Sequence, residues 1–423
     1  MESSALEVVN HTLFLFFIVF LCGTIGGKIA EQLKLPDVVI YLLIGIVVGP
    51  EAVSWVDVPT SSILNQFILT FGSAFILFHG GTVTHFHVLK KVWRTIALLA
   101  TIGVLITALV VAGSTTWLFS IPFTSALLLG AMIASTDPAA LVPIFKKFPV
   151  KPQVAQTVIS ESAFNDATGS ILTIVLLGIL TASKGGGASF GFGSTLLQFL
   201  QLAGGGIAVG VVFGFAGAIL ISEQKRGLLT DFAPMVSVLL VLGAYLGAEW
   251  IHASGFMSVF SAGLMIGNPA TLKLTILPSV NRGMHYFIDI ISLKLRMMIF
   301  ILLGAQIDFS LLGQYFWKAL LVVIVFICIG RPLAVLSSLL PDRKAGWKWN
   351  EIVFMFWTRE TGVIPAALVG MVSGMGLPDA GIYTSVALVA ILSTLLVQAG
   401  TTPFVAKQLG LLSKVQKDPQ VAE

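Results

Sequence analysis

Apolar residues in this chain run in long, nearly unbroken blocks instead of alternating or keeping to one side of a helical period. A membrane helix requires roughly 20 mainly apolar residues. By that measure the blocks predict about thirteen transmembrane helices, over approximately 10–30, 37–50, 64–83, 93–117, 122–145, 153–180, 194–221, 231–251, 254–269, 285–308, 314–340, 350–372 and 380–404. Short polar segments rich in Gly, Pro and charge separate them. The expected fold class is an all-α membrane protein, with 1–423 forming a single polytopic membrane domain. The Gly-rich connection near Lys184–Ser194 and the basic tail after Gln408 are too short to build a second one. The first block follows an acidic, Lys-free leader carrying Glu2 and Glu7, and reads as a first span and not as a cleavable signal.

Composition agrees: 56% of the residues are hydrophobic and only 10% charged, with a mean hydropathy of +0.97, too apolar for a water-soluble globule of this size. The few charges are informative through their placement. Of the 24 Lys and Arg, only Lys184 and Lys318 fall between spans on the side opposite the rest, while Lys294, Arg296, Arg331 and Arg359 fall within spans. Short cytoplasmic loops retain positive charge, so the N-terminus is expected outside and the C-terminus in the cytoplasm, in a bacterial-type inner (cytoplasmic) membrane crossed many times. The net charge of +4 then reflects topology and not a nucleic-acid partner. Cys22 and Cys328 both lie in apolar segments, which indicates neither a disulfide framework nor a thiolate metal site. No HExxH, GxGxxG or GxxxxGK[ST] occurs, so an enzyme activity and ATP hydrolysis are not expected.

Against that background, acids at membrane depth stand out. The fifth block holds Thr136-Asp137-Pro138 and the sixth holds Glu161-Ser162-Ala163-Phe164-Asn165-Asp166. An ionised carboxylate there costs several kcal/mol unless paired, hydrated or bound to a cation, so such residues mark ion or proton pathways. Asp and Thr are good N-caps and Pro suits the first helical position, so the fifth span is expected to break at Ser135–Pro138. Thr358-Arg359-Glu360-Thr361-Gly362 before Val363-Ile364-Pro365 predicts a second break in the twelfth. Two interrupted spans in corresponding places point to an inverted-repeat transporter with its site near the bilayer midplane. In the sixth span Ser162 stacks with Asp166 and Glu161 with Asn165, on faces about 100° apart. One face can offer oxygen ligands to a hard cation; the other can engage an Arg. Arg331 and Arg359 need a carboxylate or a helix C-terminus as partner, with Arg331 suited to compensating the dipole ends of broken helices. Lys294 and Arg296 are expected to snorkel to the cytoplasmic interface, and His79 is a candidate pH-sensing group.

At these residues the chain resembles NhaP-type sodium/proton antiporters of the cation:proton antiporter superfamily, which includes the animal sodium/proton exchangers. The resemblance rests on Lys28-Ile29-Ala30-Glu31 through Leu35-Pro36-Asp37, Gly45-Ile46-Val47-Val48-Gly49-Pro50, Thr136-Asp137-Pro138-Ala139, Glu161–Asp166, Gly330-Arg331-Pro332-Leu333 and Gly362-Val363-Ile364-Pro365-Ala366-Ala367-Leu368. It implies an inverted-repeat antiporter fold of thirteen helices, with spans five and twelve discontinuous and crossed. It also implies a homodimer in membrane lipid, with a moving core of about 93–180 and 314–404, a dimerisation part of about 10–83 and 231–308, and a linking helix of about 194–221. Asp166 would bind cation and proton alternately, Ser162 and the backbone oxygen of Thr136 would be further Na⁺ ligands, and Glu161 and Asn165 would organise the site, with Asp137, Arg331, Arg359 and Glu360 in the supporting core. The Asn165-Asp166 pair resembles the electroneutral exchangers. One departure is visible: relatives usually carry Arg immediately before the Gly of the twelfth-span motif, as the partner of the acid matching Glu161, whereas this chain has Thr361 there and Arg359 two residues earlier. The function implied is exchange of Na⁺ (or Li⁺) for H⁺ with no cofactor. K⁺/H⁺ exchange in the same fold is the nearest alternative. A cation channel would need a continuous pore with carbonyl or charge rings, and an intramembrane enzyme a catalytic pair.

Overall fold

The computed structural model describes residues 2–33, 35–84, 86–136, 141, 144, 145, 148–184, 192–223 and 227–412. Among these the regular elements are all helical, apart from one isolated antiparallel bridge between Val150 and Leu412. The helices are α1 (Glu2–Leu33), α2 (Asp37–Val48), α3 (Ile63–Val83), α4 (Phe86–Leu98), α5 (Val104–Phe119), α6 (Phe123–Ile133), α7 (Pro152–Lys184), α8 (Phe192–Ile221) and α9 (Ala233–Trp250). They continue with α10 (Gly255–Ile266), α11 (Pro278–Ala305), α12 (Phe309–Val325), α13 (Arg331–Leu339), α14 (Trp349–Trp357), α15 (Val363–Ser373), α16 (Ala380–Ser393) and α17 (Gly400–Gln408). Eight helical stretches among the described residues are long and apolar enough to cross a membrane. Shorter apolar helices, α2, α6, α10 and α15, accompany them.

Local chemistry sets the boundaries. Ser62 and Ser254 accept hydrogen bonds from the backbone N–H three residues on, at Asn65 and Met257, and Asp308 accepts from Ser310 and Leu311; each occupies N–H groups that a helix start leaves without partners. Among the described residues, three π-helical turns interrupt apolar runs that the sequence predicts as continuous: Leu99–Gly103, Phe326–Gly330 and Thr394–Ala399. The second stands immediately before Arg331-Pro332, where the proline removes a backbone donor.

The helices pack in two sets. In one, α10 lies between α3 and α8, and α11 packs on α1, α2 and α3. In the other, α5 packs on α6, α6 on α7, and α12 on α16. Contacts of α15 with α3 and α11, and of α7 with α8 and α10, join them. Backbone proximity explains much of the glycine content. Gly206, Gly210 and Gly214 form a stripe at four-residue spacing along α8, and a Cβ on Gly210 would lie 2.1 Å from the Ser258 carbonyl oxygen of α10. Small residues at that spacing let membrane helices approach closely, where van der Waals packing replaces the hydrophobic driving force. Large apolar side chains such as Leu13, Phe17, Phe67, Leu239 and Trp317 remain on the outer surface, as lipid-facing positions require.

Two polar residues of α11 are paired with other helices. Arg296 Nη2 reaches Asp37 Oδ2 at 3.3 Å, at the start of α2, while Lys294 is exposed. His79 of α3 meets Asp289 at 3.0 Å, and the pair is partly exposed.

Candidate functional site

Both sequence-predicted interruptions carry non-helical backbone. After α6 ends at Ile133, Ala134 caps it and Ser135 and Thr136 leave the helix. Asp137 and Pro138, the expected restart, lie outside the described residues. The second break is fully described: α14 ends at Trp357, residues 358–362 are unwound, and α15 begins at Val363.

Facing the first break, α7 presents four buried polar side chains, Glu161, Ser162, Asn165 and Asp166, each no more than 6% exposed. Three of the predicted residues are tied together by hydrogen bonds across the break. Ser162 Oγ donates to the Thr136 carbonyl at 2.7 Å, and Asn165 Nδ2 donates to Thr136 Oγ1 at 2.9 Å. The Thr136 backbone N–H in turn donates to Asn165 Oδ1 at 3.1 Å, and its hydroxyl to Ser162 Oγ at 2.9 Å. Asp166 follows Ser162 by one helical turn on the same face and is 6% exposed. The close approach of α6 and α7 depends on Gly169, where a Cβ would sit 2.5 Å from Ser135 Oγ. The neighbourhood of Asp166 therefore combines a carboxylate, hydroxyls, a carboxamide and a backbone carbonyl. Oxygen sets of this kind suit a hard cation.

The two arginines have different partners. Glu161 pairs with Arg331 and not with Arg359: Arg331 Nη1 bonds Oε1, and Nη2 donates to Oε2 at 3.0 Å, the two side chains being 3% and 2% exposed. Arg331 also donates from Nε to the Met355 carbonyl at 2.8 Å and from Nη2 to that of Thr358 at 3.2 Å. It thus serves as Glu161's counterion and also satisfies carbonyls at the C-terminal end of α14, the helix-end role expected of it. Arg359, set two residues from the usual motif position, donates to the Ala134 carbonyl at the end of α6, lies 3.4 Å from Thr107 Oγ1 and stacks 4.6 Å over the Phe326 ring. Each interrupted helix consequently has its negative C-terminal end facing an arginine, α6 from the second break and α14 from α13. Glu161, Asn165, Arg331, Arg359, Thr107 and Ala134 all border one crevice too narrow for a water-sized sphere.

Glu360 is 1% exposed within the second break. Beside it the Thr361 backbone N–H donates to Thr394 Oγ1 at 3.0 Å, and Gln398 Nε2 donates to the Trp357 carbonyl at 2.8 Å. Sequence reasoning did not single out Thr107, Gly169, Thr394 or Gln398. Gln398 carried a signal, a carboxamide inside an apolar block; Thr107 carried none. His79 and Asp289 belong to α3 and α11, in the other helix set.

The comparisons with known proteins agree with this geometry. Residues 16–408 match the family described as "Sodium/hydrogen exchanger, transmembrane". A probable Na⁺/H⁺ antiporter (antiporter 2) of Methanocaldococcus jannaschii is 32% identical over 377 residues, covering 86% of this chain and 85% of the relative. A K⁺/H⁺ antiporter NhaP of Alkalimonas amylolytica is 29% identical, covering 96% of this chain and 68% of the relative. The solved structure of the sodium proton antiporter MjNhaP1 from M. jannaschii at pH 8 superimposes with a TM-score of 0.79 at 29% identity, covering 95% of this chain and 99% of that one. With its polar site built on interrupted apolar helices, the chain belongs to the sodium/hydrogen exchanger family and is a cation/proton antiporter of the NhaP type.

Proposed function

We propose that the protein exchanges Na⁺ (or Li⁺) for H⁺ by alternating access, with Asp166 carrying the two ions in turn. The observation that supports this most is the bonded set Thr136–Ser162–Asn165 beside buried Asp166. Ser162 and the Thr136 carbonyl would complete the cation's oxygen shell with Asp166, while Asn165 and the Glu161–Arg331 pair hold the frame. An ionised Asp166 without proton or cation would be costly to move through a low-dielectric core. The carrier therefore reorients only when loaded, which couples the two fluxes. Each passage brings one positive charge to the same carboxylate, and Asn165 adds no second acid, so the exchange is electroneutral.

On this reading the helices make thirteen crossings, with the two broken spans crossed at the site. The core comprises about 93–180 and 314–404; the dimerisation part, about 10–83 and 231–308, forms a homodimer; the helix of about 194–221 links them. The charge distribution supports an outside N-terminus and a cytoplasmic C-terminus in the cell membrane. K⁺/H⁺ exchange is the second reading, favoured by the likeness to a relative named as a K⁺/H⁺ antiporter. The test is proton flux in proteoliposomes on adding Na⁺, Li⁺ or K⁺ in turn, with and without a clamped membrane potential. Na⁺ and Li⁺ should drive flux that the clamp leaves unchanged, and Asp166→Asn should abolish it. Flux driven by K⁺ alone would establish the second reading. Full transport by Asp166→Asn would remove that residue from the mechanism.

A further inference from the structure

We infer that the π-helical turn Thr394–Ala399 is a clamp on the second break, and that Thr394 and Gln398 are positioning residues for cation binding. Both side chains are at most 1% exposed and both grip the unwound stretch through its backbone. Thr394 Oγ1 accepts from the Thr361 N–H at 3.0 Å, near the C-terminal end of the stretch, and Gln398 Nε2 donates at 2.8 Å to the carbonyl of Trp357, the last residue of α14, immediately before it. Thr401, one turn further, accepts from the Trp357 indole N–H at 2.8 Å. A regular α-helix closes its bonds every four residues; a π turn inserts one extra residue per turn and rotates the side chains that follow, and such turns concentrate at functional sites. Here the insertion falls where two side chains must meet a segment with no helical ladder of its own. Unwound backbone inside a membrane protein needs outside partners for its N–H and C=O groups.

What the clamp positions is Arg359, between the two gripped residues. Its guanidinium ends on the Ala134 carbonyl and over the Phe326 ring, two residues before Thr136, whose carbonyl and hydroxyl hold Ser162. The chain of contact runs from Thr394 and Gln398 through the 358–362 backbone to Arg359, then to Ala134 and the cation's proposed oxygen shell. Loosening the clamp should therefore weaken cation binding more than turnover. This inference rests on the proposed site at Asp166 and Thr136.

Thr394→Val keeps the shape and removes the acceptor; Thr394→Ser keeps the acceptor. One buried hydrogen bond is worth roughly a fivefold change in an equilibrium, so Thr394→Val should raise the apparent KM for Na⁺ about fivefold with kcat nearly unchanged, Thr394→Ser should restore the wild-type KM, and Gln398→Leu should behave as Val does. Na⁺-driven flux in proteoliposomes reads these parameters, and elution profile and melting temperature confirm that each variant is folded. A wild-type KM in both Thr394→Val and Gln398→Leu, or a loss confined to kcat, overturns the clamp. Should Thr394→Val fail to fold, Gln398→Leu alone decides it. Asp166→Asn is run in parallel: if it transports, the underlying site is wrong, whereas if it is dead while both clamp variants keep the wild-type KM, only the clamp is.

Discussion

Replacing Glu161 by Gln keeps the side-chain volume but strands the charge of Arg331. Both groups are almost fully enclosed, at 3% and 2% exposure, and the guanidinium would keep neutral acceptors, the Met355 and Thr358 carbonyls and the amide oxygen of the new side chain, with no counter-charge. Breaking a buried ion pair from one side costs about 3–5 kcal/mol, against about 1–3 kcal/mol for an unsatisfied neutral group. For a chain of this size that should lower the apparent melting temperature by about 5 °C. Arg331→Gln should cost at least as much, since it also uncaps α14. The double variant Glu161→Gln/Arg331→Gln should be less unstable than the two single losses combined, by about 1–3 kcal/mol of coupling. A double-mutant cycle on thermal unfolding in detergent measures this, followed by intrinsic tryptophan fluorescence. The same cycle with Arg359→Gln should show a smaller coupling, because Arg359 spends its hydrogen bonds on Ala134 and Thr107. Additivity with Arg331 and strong coupling with Arg359 would refute this reasoning and return Glu161 to the partner suggested by the usual motif.

Other expectations follow from the same geometry. Ser162→Ala should raise the apparent KM for Na⁺ roughly fivefold while Na⁺-driven flux persists; an unchanged KM would take its hydroxyl out of the oxygen shell. Gly210→Val should force α8 from α10, because its Cβ would meet the Ser258 carbonyl, whereas Gly313→Ala, with nothing within 4 Å, should be tolerated; size-exclusion profiles of the detergent-extracted proteins compare them. With Cys22 and Cys328 replaced, an impermeant thiol reagent applied from outside should label a cysteine at exposed Ser61 and spare one at exposed Gln408. The reverse pattern would invert the orientation.

The apolar blocks predicted where helices lie because membrane-length hydrophobic runs leave few alternatives. The second break was legible for a related reason: Thr358–Gly362 places five poor core residues before a helix whose start suits Pro365. The four-residue stacking on α7 put Ser162 and Asn165 on separate faces, yet both bond Thr136, because residues three apart on a helix are neighbours as well. Pairing between distant segments was not legible. Sequence order places Arg359 near a family motif, but the unwound backbone lets its side chain turn to α6, and the Glu161 carboxylate goes to Arg331 across 170 residues of chain. The π turns also escaped notice. An inserted residue in an apolar run changes no hydrophobic pattern, and only Pro332 gave a local sign of one. Nor was the ion pair of Arg296 with Asp37 legible, because its partner lies on another helix, α2.

The central claim is that proton and cation compete for one carboxylate, Asp166, and the pH dependence of transport tests it most directly. At low pH protons should displace Na⁺ and raise its apparent KM; at high pH too few protons remain to return the carrier, and turnover should fall. The rate of Na⁺-driven proton flux in proteoliposomes, measured across pH at two Na⁺ concentrations tenfold apart, should be bell-shaped. Its acidic limb should move to lower pH at the higher concentration, by up to about one pH unit for simple competition at one site. An acidic limb that stays in place at both concentrations would contradict the account and point to a separate titrating group, with His79 beside Asp289 the first to test.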